Sequence, residues 1–115
     1  MVGHINDLNR IHLNPSVTKE ASMKVLVSEN EGWKDHVLRV VEVGKDGYTP
    51  KHKHPWPHIN YFLEGSGQLE IGGMIHEVKA GSYAFVPGDT LHQFRNNSDE
   101  TLKFICIVPK EGHIY

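Results

Sequence analysis

Short apolar or alternating runs, each bounded by turn residues, limit what this chain can fold into more than any other feature. Each run holds four to eight residues, and no window sustains the i, i+3, i+4, i+7 apolar spacing of a helix over helical length. Regularly spaced short strands are typical of a β-sandwich or a β-barrel. We therefore predict an all-β domain with strands over residues 23–28, 36–43, 58–63, 68–71, 74–78, 82–86, 91–95 and 102–108.

Two glycine-containing segments predict turns between these strands. Gly72-Gly73 stands between Ile71 and Met74, and because both glycines adopt positive φ without steric cost, the pair predicts a two-residue hairpin. Residues 44–47, with the sequence Gly-Lys-Asp-Gly, predict a second turn. The strands on either side of each turn are expected to pair antiparallel.

The chain has the length of one domain. Its 115 residues allow a single hydrophobic core, and residues 21–115 are predicted to form it as a barrel. Residues 1–20 are polar and irregular. We expect this segment to be either a mobile arm or a strand exchanged with a partner subunit, and the sequence does not choose between the two.

Charge and hydropathy argue against two classes of partner. With 12 Lys and Arg against 14 Asp and Glu, the net charge is −2 and no basic run is present, so nucleic acid is not expected to bind. No signal-peptide region is visible, and no stretch approaches the roughly 20 apolar residues of a membrane span. The single cysteine, Cys106, cannot form an intramolecular disulfide. We therefore expect a cytoplasmic protein that binds a small molecule.

Four histidines stand at spacings that a strand-built barrel can bring to one point. His52 and His54 are two residues apart, so on a strand their side chains share one face. The Pro-Trp-Pro segment that follows predicts a bend, because proline lacks the N–H donor of a strand ladder, and His58 then opens the next strand. A turn rich in Pro, Gly and Asp precedes His92. The sequence therefore predicts a mononuclear metal site made of these four imidazoles.

The same segments resemble the two sequence motifs of the cupin superfamily. The second motif is matched at every spacing, although Asp89 stands where that family usually has glycine. The resemblance implies a small jelly-roll β-barrel, which fits the strand rhythm outside the motifs. The matching residues are 47–58 with Gly65 in the first motif, and Gly81, Pro87, Asp89, His92 and Asn96 in the second.

A departure from the cupin pattern concerns the metal ligands. His58 stands where the first motif usually has its metal-binding glutamate, and one residue fewer than usual separates Gly47 from His52. The all-histidine set, with Pro55-Trp56 and the ending at residues 104–109, is similar to the small four-histidine manganese monocupins of thermophilic prokaryotes. That resemblance implies bound manganese and a homodimer. A second copy could also pair with an exposed barrel edge and with the long N-terminal arm.

Ligand chemistry alone does not select the metal. Imidazole sites follow the Irving–Williams order, so copper, nickel and zinc bind more tightly than manganese or iron at equal availability. The resemblance makes Mn(II) the expected ion, with Fe(II) next and Zn, Ni or Cu as further possibilities. A structural zinc site is an alternative, although such sites favour cysteine ligands.

The all-imidazole set also bears on the reaction. Replacing a carboxylate by neutral imidazole removes a negative charge, so the ion becomes a stronger Lewis acid. Four protein ligands on an octahedral ion leave two positions, for a small organic substrate and for dioxygen or peroxide, which predicts an oxygenase-type oxidoreductase. The alternatives are a non-oxidative lyase or isomerase, such as a decarboxylase or sugar isomerase, and a non-enzymatic module that binds or senses a small ligand.

Strand alternation predicts which side chains line the pocket beside the metal. Arg39 lies among valines, so it either faces the interior, where it would attract a carboxylate, or reaches an exposed edge. Cys106 is either a substrate-contacting or oxidisable thiol or a small buried hydrophobe. Trp56 either rims the pocket or anchors a subunit contact. Arg39 and Cys106 are thus candidate catalytic residues, and the predicted pocket comprises Trp56, Phe62, Phe94, Phe104, Cys106 and Arg39.

Overall fold

Antiparallel strands are the main secondary structure of the chain. The computed structural model describes residues 1–113. Short 3-10 helices occupy Ile5–Asp7, Glu29–Glu31 and Lys110–Gly112, and within the described part of the chain no helix is long and apolar enough to cross a membrane. In the same part the nine strands are β1 (Ile11–His12), β2 (Lys19–Val27), β3 (His36–Tyr48), β4 (His58–Glu64), β5 (Ser66–Ile71), β6 (Met74–Lys79), β7 (Tyr83–Val86), β8 (His92–Arg95) and β9 (Leu102–Pro109).

The order of the strands produces a jelly-roll barrel. Along the sheet the order is β6-β5-β8-β3-β9-β4-β7, with β2 also paired to β3 and β1 paired to β2. Most neighbours in the sheet are distant in sequence, so the sheet wraps around an enclosed core, as jelly rolls do. The prediction of an all-β jelly-roll fold is confirmed. The hairpin predicted at Gly72-Gly73 joins β5 to β6, with φ values of 58° and 85°.

The turn predicted at residues 44–47 is wrong. Strand β3 continues through this segment and pairs with β2 on both sides of it. The register shifts there, since the partner of Ala21 is Val43 whereas the partner of Lys19 is Tyr48. The extra residues are therefore accommodated as a bulge, and the glycines and aspartate distort a long strand instead of reversing it.

Part of the N-terminal segment folds onto its own chain. Strand β1 pairs antiparallel with β2. The Arg10 guanidinium donates a hydrogen bond to Ser22 Oγ at 2.9 Å and forms an ion pair with Glu42 of β3. Ile11 and Leu13 pack against the core, so this stretch is anchored by both polar and apolar contacts. The division of the chain after residue 20, and exchange of the segment with a partner, stay predictions.

Aromatic rings fill the centre of the barrel. Phe62, Phe94 and Phe104 come from β4, β8 and β9, and their ring centroids lie between 4.3 and 6.1 Å apart. Tilted and offset ring pairs of this kind stabilise a core beyond the area that they bury. Buried residues alternate with partly buried ones along β9, so that strand turns one face to these rings. The rings form an apolar block below the histidines of β4 and β8.

Asn96, the asparagine of the second motif, directly follows β8 and is buried, with only 2% of its surface exposed. Its Nδ2 donates to the Val43 carbonyl at 2.8 Å and to the Glu100 carbonyl at 2.6 Å. Its Oδ1 accepts from the Ser98 N–H at 2.9 Å. The side chain therefore joins β8 to β3 and shapes the loop that leads to β9.

Asn96→Ala is expected to lower the free energy of unfolding by roughly 2 kcal/mol or more, because it leaves the buried Val43 carbonyl without this donor. Asn97→Ala is the matched control, since Asn97 is exposed, and it is expected to change stability little. Guanidinium chloride unfolding followed by circular dichroism measures both. Equal midpoints for the two variants would contradict this role of Asn96.

Candidate metal centre

The four histidines come from two strand starts and one connecting segment. His58 and His92 begin β4 and β8, and His52 and His54 lie in the connection between β3 and β4. A reciprocal backbone pair holds His52 against β8: its N–H donates to the His92 carbonyl at 3.2 Å, and its carbonyl accepts from the His92 N–H at 3.0 Å. His52 is exposed, His54 is half-buried, and the other two are buried. The set therefore leads from the protein surface into the barrel.

Three of the histidines form a compact cluster. The ligand nitrogens of His52, His54 and His92 all lie within 4.8 Å of one another, close to the spacing of ligands around a single ion. His58 adjoins this cluster at His92. Its Nε2 lies 3.1 Å from His92 Nε2, whereas its ring centroid is 5.6 Å from that of His54. Three predicted ligands are thus grouped tightly, and the fourth stands beside one of them.

Oxygen acceptors determine which nitrogen of each ring carries the proton. In three of the rings, Nδ1 lies 2.7 to 2.9 Å from an oxygen that can only accept a hydrogen bond. Each Nδ1 is therefore assigned as the donor, and in the neutral ring Nε2 keeps a free lone pair. The pairs are His54 with the Trp56 carbonyl, His58 with Asn60 Oδ1, and His92 with the Thr90 carbonyl.

Burial keeps the rings uncharged. Desolvation lowers the pKa of His58 and of His92 to about 4, against the opposing effect of their hydrogen bonds to oxygen. Desolvation within the cluster, followed by the charge of neighbouring rings, lowers the pKa of His52 to about 4. The pKa of His54 is also lowered, first by desolvation. At neutral pH all four rings are neutral imidazoles, which is the form in which histidine binds metals.

The contact between His58 and His92 is the clearest sign of a cation site. Since both rings carry their proton on Nδ1, their Nε2 atoms meet at 3.1 Å with two lone pairs and no hydrogen between them. This contact is not a hydrogen bond, and it is repulsive. Two nitrogens that each lie about 2.1 Å from one ion, at right angles, are about 3.0 Å apart. The observed separation of 3.1 Å is close to this distance.

Two partners of these rings were missed by the sequence analysis. Asn60 is 0% exposed, and its Nδ2 donates to the Ile105 carbonyl at 3.3 Å, which turns Oδ1 toward His58. It stands two residues after His58, so strand alternation was a signal that could have found it. Thr90 contacts His92 through its backbone carbonyl, and the residue type at a position does not indicate such a contact.

Trp56 supports His54 by stacking as well as by its carbonyl. The two rings lie 4.8 Å apart with an interplanar angle of 10°. Gly112 packs against the indole, and a Cβ at this glycine would lie 2.3 Å from Trp56 Nε1. Any larger residue at position 112 would therefore push the indole away from His54. Trp56 borders the cavity, as one of its two predicted roles requires.

A cavity of about 310 Å³ opens beside the histidines. Phe62 does not line it, because this ring is 0% exposed and packs behind Phe104, with centroids 5.2 Å apart. Leu13, Asn14 and Val17 of the N-terminal segment do line it, and nothing in that polar, irregular sequence indicated so. The predicted pocket residues that line the cavity are Arg39, Trp56, Phe94, Phe104 and Cys106.

Arg39 faces the cavity and not an exposed edge. Its strand position pairs with Cys106 on β9, and its Nη2 donates to Cys106 Sγ at 3.2 Å. Cys106 is 4% exposed and also borders the cavity. The thiol is therefore both a buried packing group and a polar contact of the guanidinium.

Two curated proteins are similar to this chain over much of its length. The 1-methylthio-D-xylulose 5-phosphate methylsulfurylase of Rhodospirillum rubrum is 35% identical over 74 residues, which are 64% of this chain and 47% of that protein. The dimethylsulfoniopropionate lyase DddW of Ruegeria pomeroyi is 35% identical over 74 residues, which are 64% of this chain and 49% of that protein. The chain spans about half the length of both relatives.

A solved structure and a family profile agree with this similarity. The polyketide cyclase RemF from Streptomyces resistomycificus superposes with a TM-score of 0.88 at 31% identity, covering 95% of this chain and 78% of that one. The profile of the cupin domain matches residues 39–108, which are more than half of the chain and include all four histidines. The chain therefore belongs to the cupin domain family.

Proposed function

We propose that this chain is a divalent-metal-dependent enzyme and that its four clustered histidines hold the ion. The observation that carries the proposal is the contact of His58 Nε2 with His92 Nε2, 3.1 Å apart and both without a proton. The compact grouping of His92 with His52 and His54 supplies the other donors. Neutral imidazoles suit divalent first-row metals, so the residues present fit such an ion.

Mn(II) is the ion that we propose, with Fe(II) next. Donor chemistry alone would favour zinc, nickel or copper at equal availability, so manganese rests on the resemblance to the four-histidine manganese monocupins. When bound, such an ion supplies Lewis acidity and redox chemistry toward dioxygen or peroxide. The chain's own residues keep the imidazoles neutral and leave Nε2 of His54, His58 and His92 without a proton.

An oxygenase-type reaction on a small organic substrate fits this cavity better than proton transfer at carbon. Within residues 1–113, the cavity lining contains no Asp, Glu or Lys that could serve as a general base. Its walls include Val41, Phe94 and Phe104, which suit the apolar part of a substrate. A volume of about 310 Å³ admits a small molecule and excludes a polymer.

A non-oxidative lyase is the second candidate, and it rests on the name of one relative. DddW is a dimethylsulfoniopropionate lyase. In a lyase of this fold the thiol of Cys106, beside Arg39 in the cavity wall, would be the available proton carrier. The presence or absence of an oxidant requirement separates the two candidates.

Each chain is expected to bind one Mn(II) ion. Binding is expected to raise the melting temperature of the protein, because a ligand of the folded state stabilises it. His58→Gln and His92→Gln are each expected to weaken Mn(II) binding at least about tenfold. His76→Gln is the control, since His76 is exposed on β6, outside the cluster. Calorimetric titration and elemental analysis measure the effect. Wild-type affinity in His58→Gln would reduce the ligand set to three histidines, and wild-type affinity in both variants would refute the centre.

Turnover of a panel of small alkene and enolisable substrates is expected to require both Mn(II) and an oxidant. Product formation is followed with dioxygen or peroxide and under anaerobic, peroxide-free conditions, with His92→Gln as the metal-site control. Anaerobic product from the metal-loaded protein would assign the lyase candidate instead. Turnover that survives chelation would contradict both candidates, and a tightly held ligand without turnover would indicate a binding module.

We also propose that the protein is a homodimer joined through the outer face of β4 and β7. On this face Ile59 is 52% exposed, Tyr61 48% and Phe85 60%. Ile59 stands opposite Phe85 and Tyr61 opposite Tyr83, so the four side chains form one continuous patch with no charge among them. A patch of this character next to the sheet-edge strand β7 suits association with a second copy, because a two-fold axis would bury it against itself.

The wild type is expected to be a dimer of twice the 13.0 kDa chain mass. Phe85→Glu is expected to be a monomer, because it places a charge in the apolar patch. Ile75→Glu is the control, since Ile75 is 63% exposed on β6, a strand that pairs with neither β4 nor β7. Sedimentation velocity measures the mass. A monomeric wild type, or a Phe85→Glu variant that stays dimeric, would contradict this interface.

A further inference from the structure

The cavity contains a cation that no carboxylate accompanies. Arg39 lines it, and within residues 1–113 the structure gives its guanidinium no ion pair. The same lining contains no Asp or Glu, and its histidines are neutral. The cavity is therefore electropositive, although the chain as a whole has a net charge of −2.

One edge of the Arg39 guanidinium lacks a strong acceptor. Nη2 donates to Cys106 Sγ at 3.2 Å, and thiol sulfur is a weak acceptor. Nε is buried and has no hydrogen-bond partner among the described residues. Nε and Nη2 form the side edge of the guanidinium, which pairs with both oxygens of a carboxylate in bidentate contacts. A carboxylate that displaced the thiol from this edge would satisfy both donors.

We propose that Arg39 is a specificity-determining residue that binds the carboxylate of the substrate, so that this cavity takes small carboxylic acids. That the bound carboxylate belongs to a substrate rests on the proposed function, whereas carboxylate binding itself does not require the metal. A single planar guanidinium, with no lysine among the described lining residues, matches the two oxygens of a carboxylate. Phosphate sites more often gather several donors, such as a helix N-terminus or a glycine-rich loop.

The test compares pyruvate with its neutral isostere pyruvamide, and with methyl phosphate, by calorimetric titration of the metal-free and the Mn(II)-loaded protein. Pyruvate is expected to bind both forms, and pyruvamide at least about tenfold more weakly, because hydrogen bonds to a charged group are the stronger ones. Arg39→Gln is expected to weaken pyruvate binding at least about tenfold but not to weaken Mn(II) binding, because it removes a positive charge that acts on the histidines.

Arg95→Gln is the matched control, because it removes the same charge from an exposed arginine that lies over the Tyr48 ring. Arg39→Lys keeps the charge but not the two-donor edge, so it is expected to lose part of the pyruvate affinity. This variant also provides the comparison if Arg39→Gln does not fold, which circular dichroism detects.

The outcomes separate this inference from the proposed function. Equal affinities for pyruvate and pyruvamide, or wild-type pyruvate affinity in Arg39→Gln or Arg39→Lys, would overturn the role of Arg39 and leave the metal proposal standing. Tighter, Arg39-dependent binding of methyl phosphate would overturn the carboxylate in favour of a phosphate ester. A wild type that binds no Mn(II) would refute the metal centre, and the metal-free titration would still decide the role of Arg39.

Discussion

Two imidazole lone pairs that face each other depend on the surrounding structure to hold them together. His58 and His92 stand at the first residues of two strands, and an oxygen acceptor fixes the proton of each on Nδ1. Two neutral Nε2 atoms at 3.1 Å repel each other, so the barrel maintains an arrangement that a cation would relieve. The fold thus holds the two imidazoles in fixed positions, as the proposed metal centre requires.

The rigidity of the site comes from the buried groups that surround it. Asn60 crosses from β4 to β9 through its hydrogen bond to the Ile105 carbonyl, and Phe94 lies two residues after His92 against the rings of Phe62 and Phe104. A buried polar group is stable only when its partners are in place, so Asn60 links the orientation of His58 to the register of two strands. Packing of the core and alignment of the ligands are therefore not independent.

Features that depend on residues close together in the sequence could be predicted, whereas contacts between distant segments could not. Alternation and local turns predicted the strands. The spacing of His52 and His54 was interpreted as a strand, whereas both lie in the connection between β3 and β4. The turn at residues 44–47 failed because glycine and aspartate also mark bulges, and only pairing with β2 distinguishes the two. Phe62 was predicted as an apolar wall of the pocket and lies in the core, because strand parity gives the face of a residue and not its depth. Leu13 reaches the cavity through a contact between distant segments, which residue type does not report.

Part of the cavity rim and the histidines beside it have separate origins in the chain. All four histidines lie within residues 39–108, the part shared with the cupin family, whereas Leu13, Asn14, Val17 and Gly112 of the cavity rim lie outside it. Leu13, Asn14 and Val17 can therefore change in residue type without altering a partner of the imidazoles, whereas Gly112 cannot, because it packs against the Trp56 indole that supports His54. Divergence among proteins of this kind can proceed by exchanging parts of the rim around a constant set of histidines, so that one scaffold can admit different organic molecules.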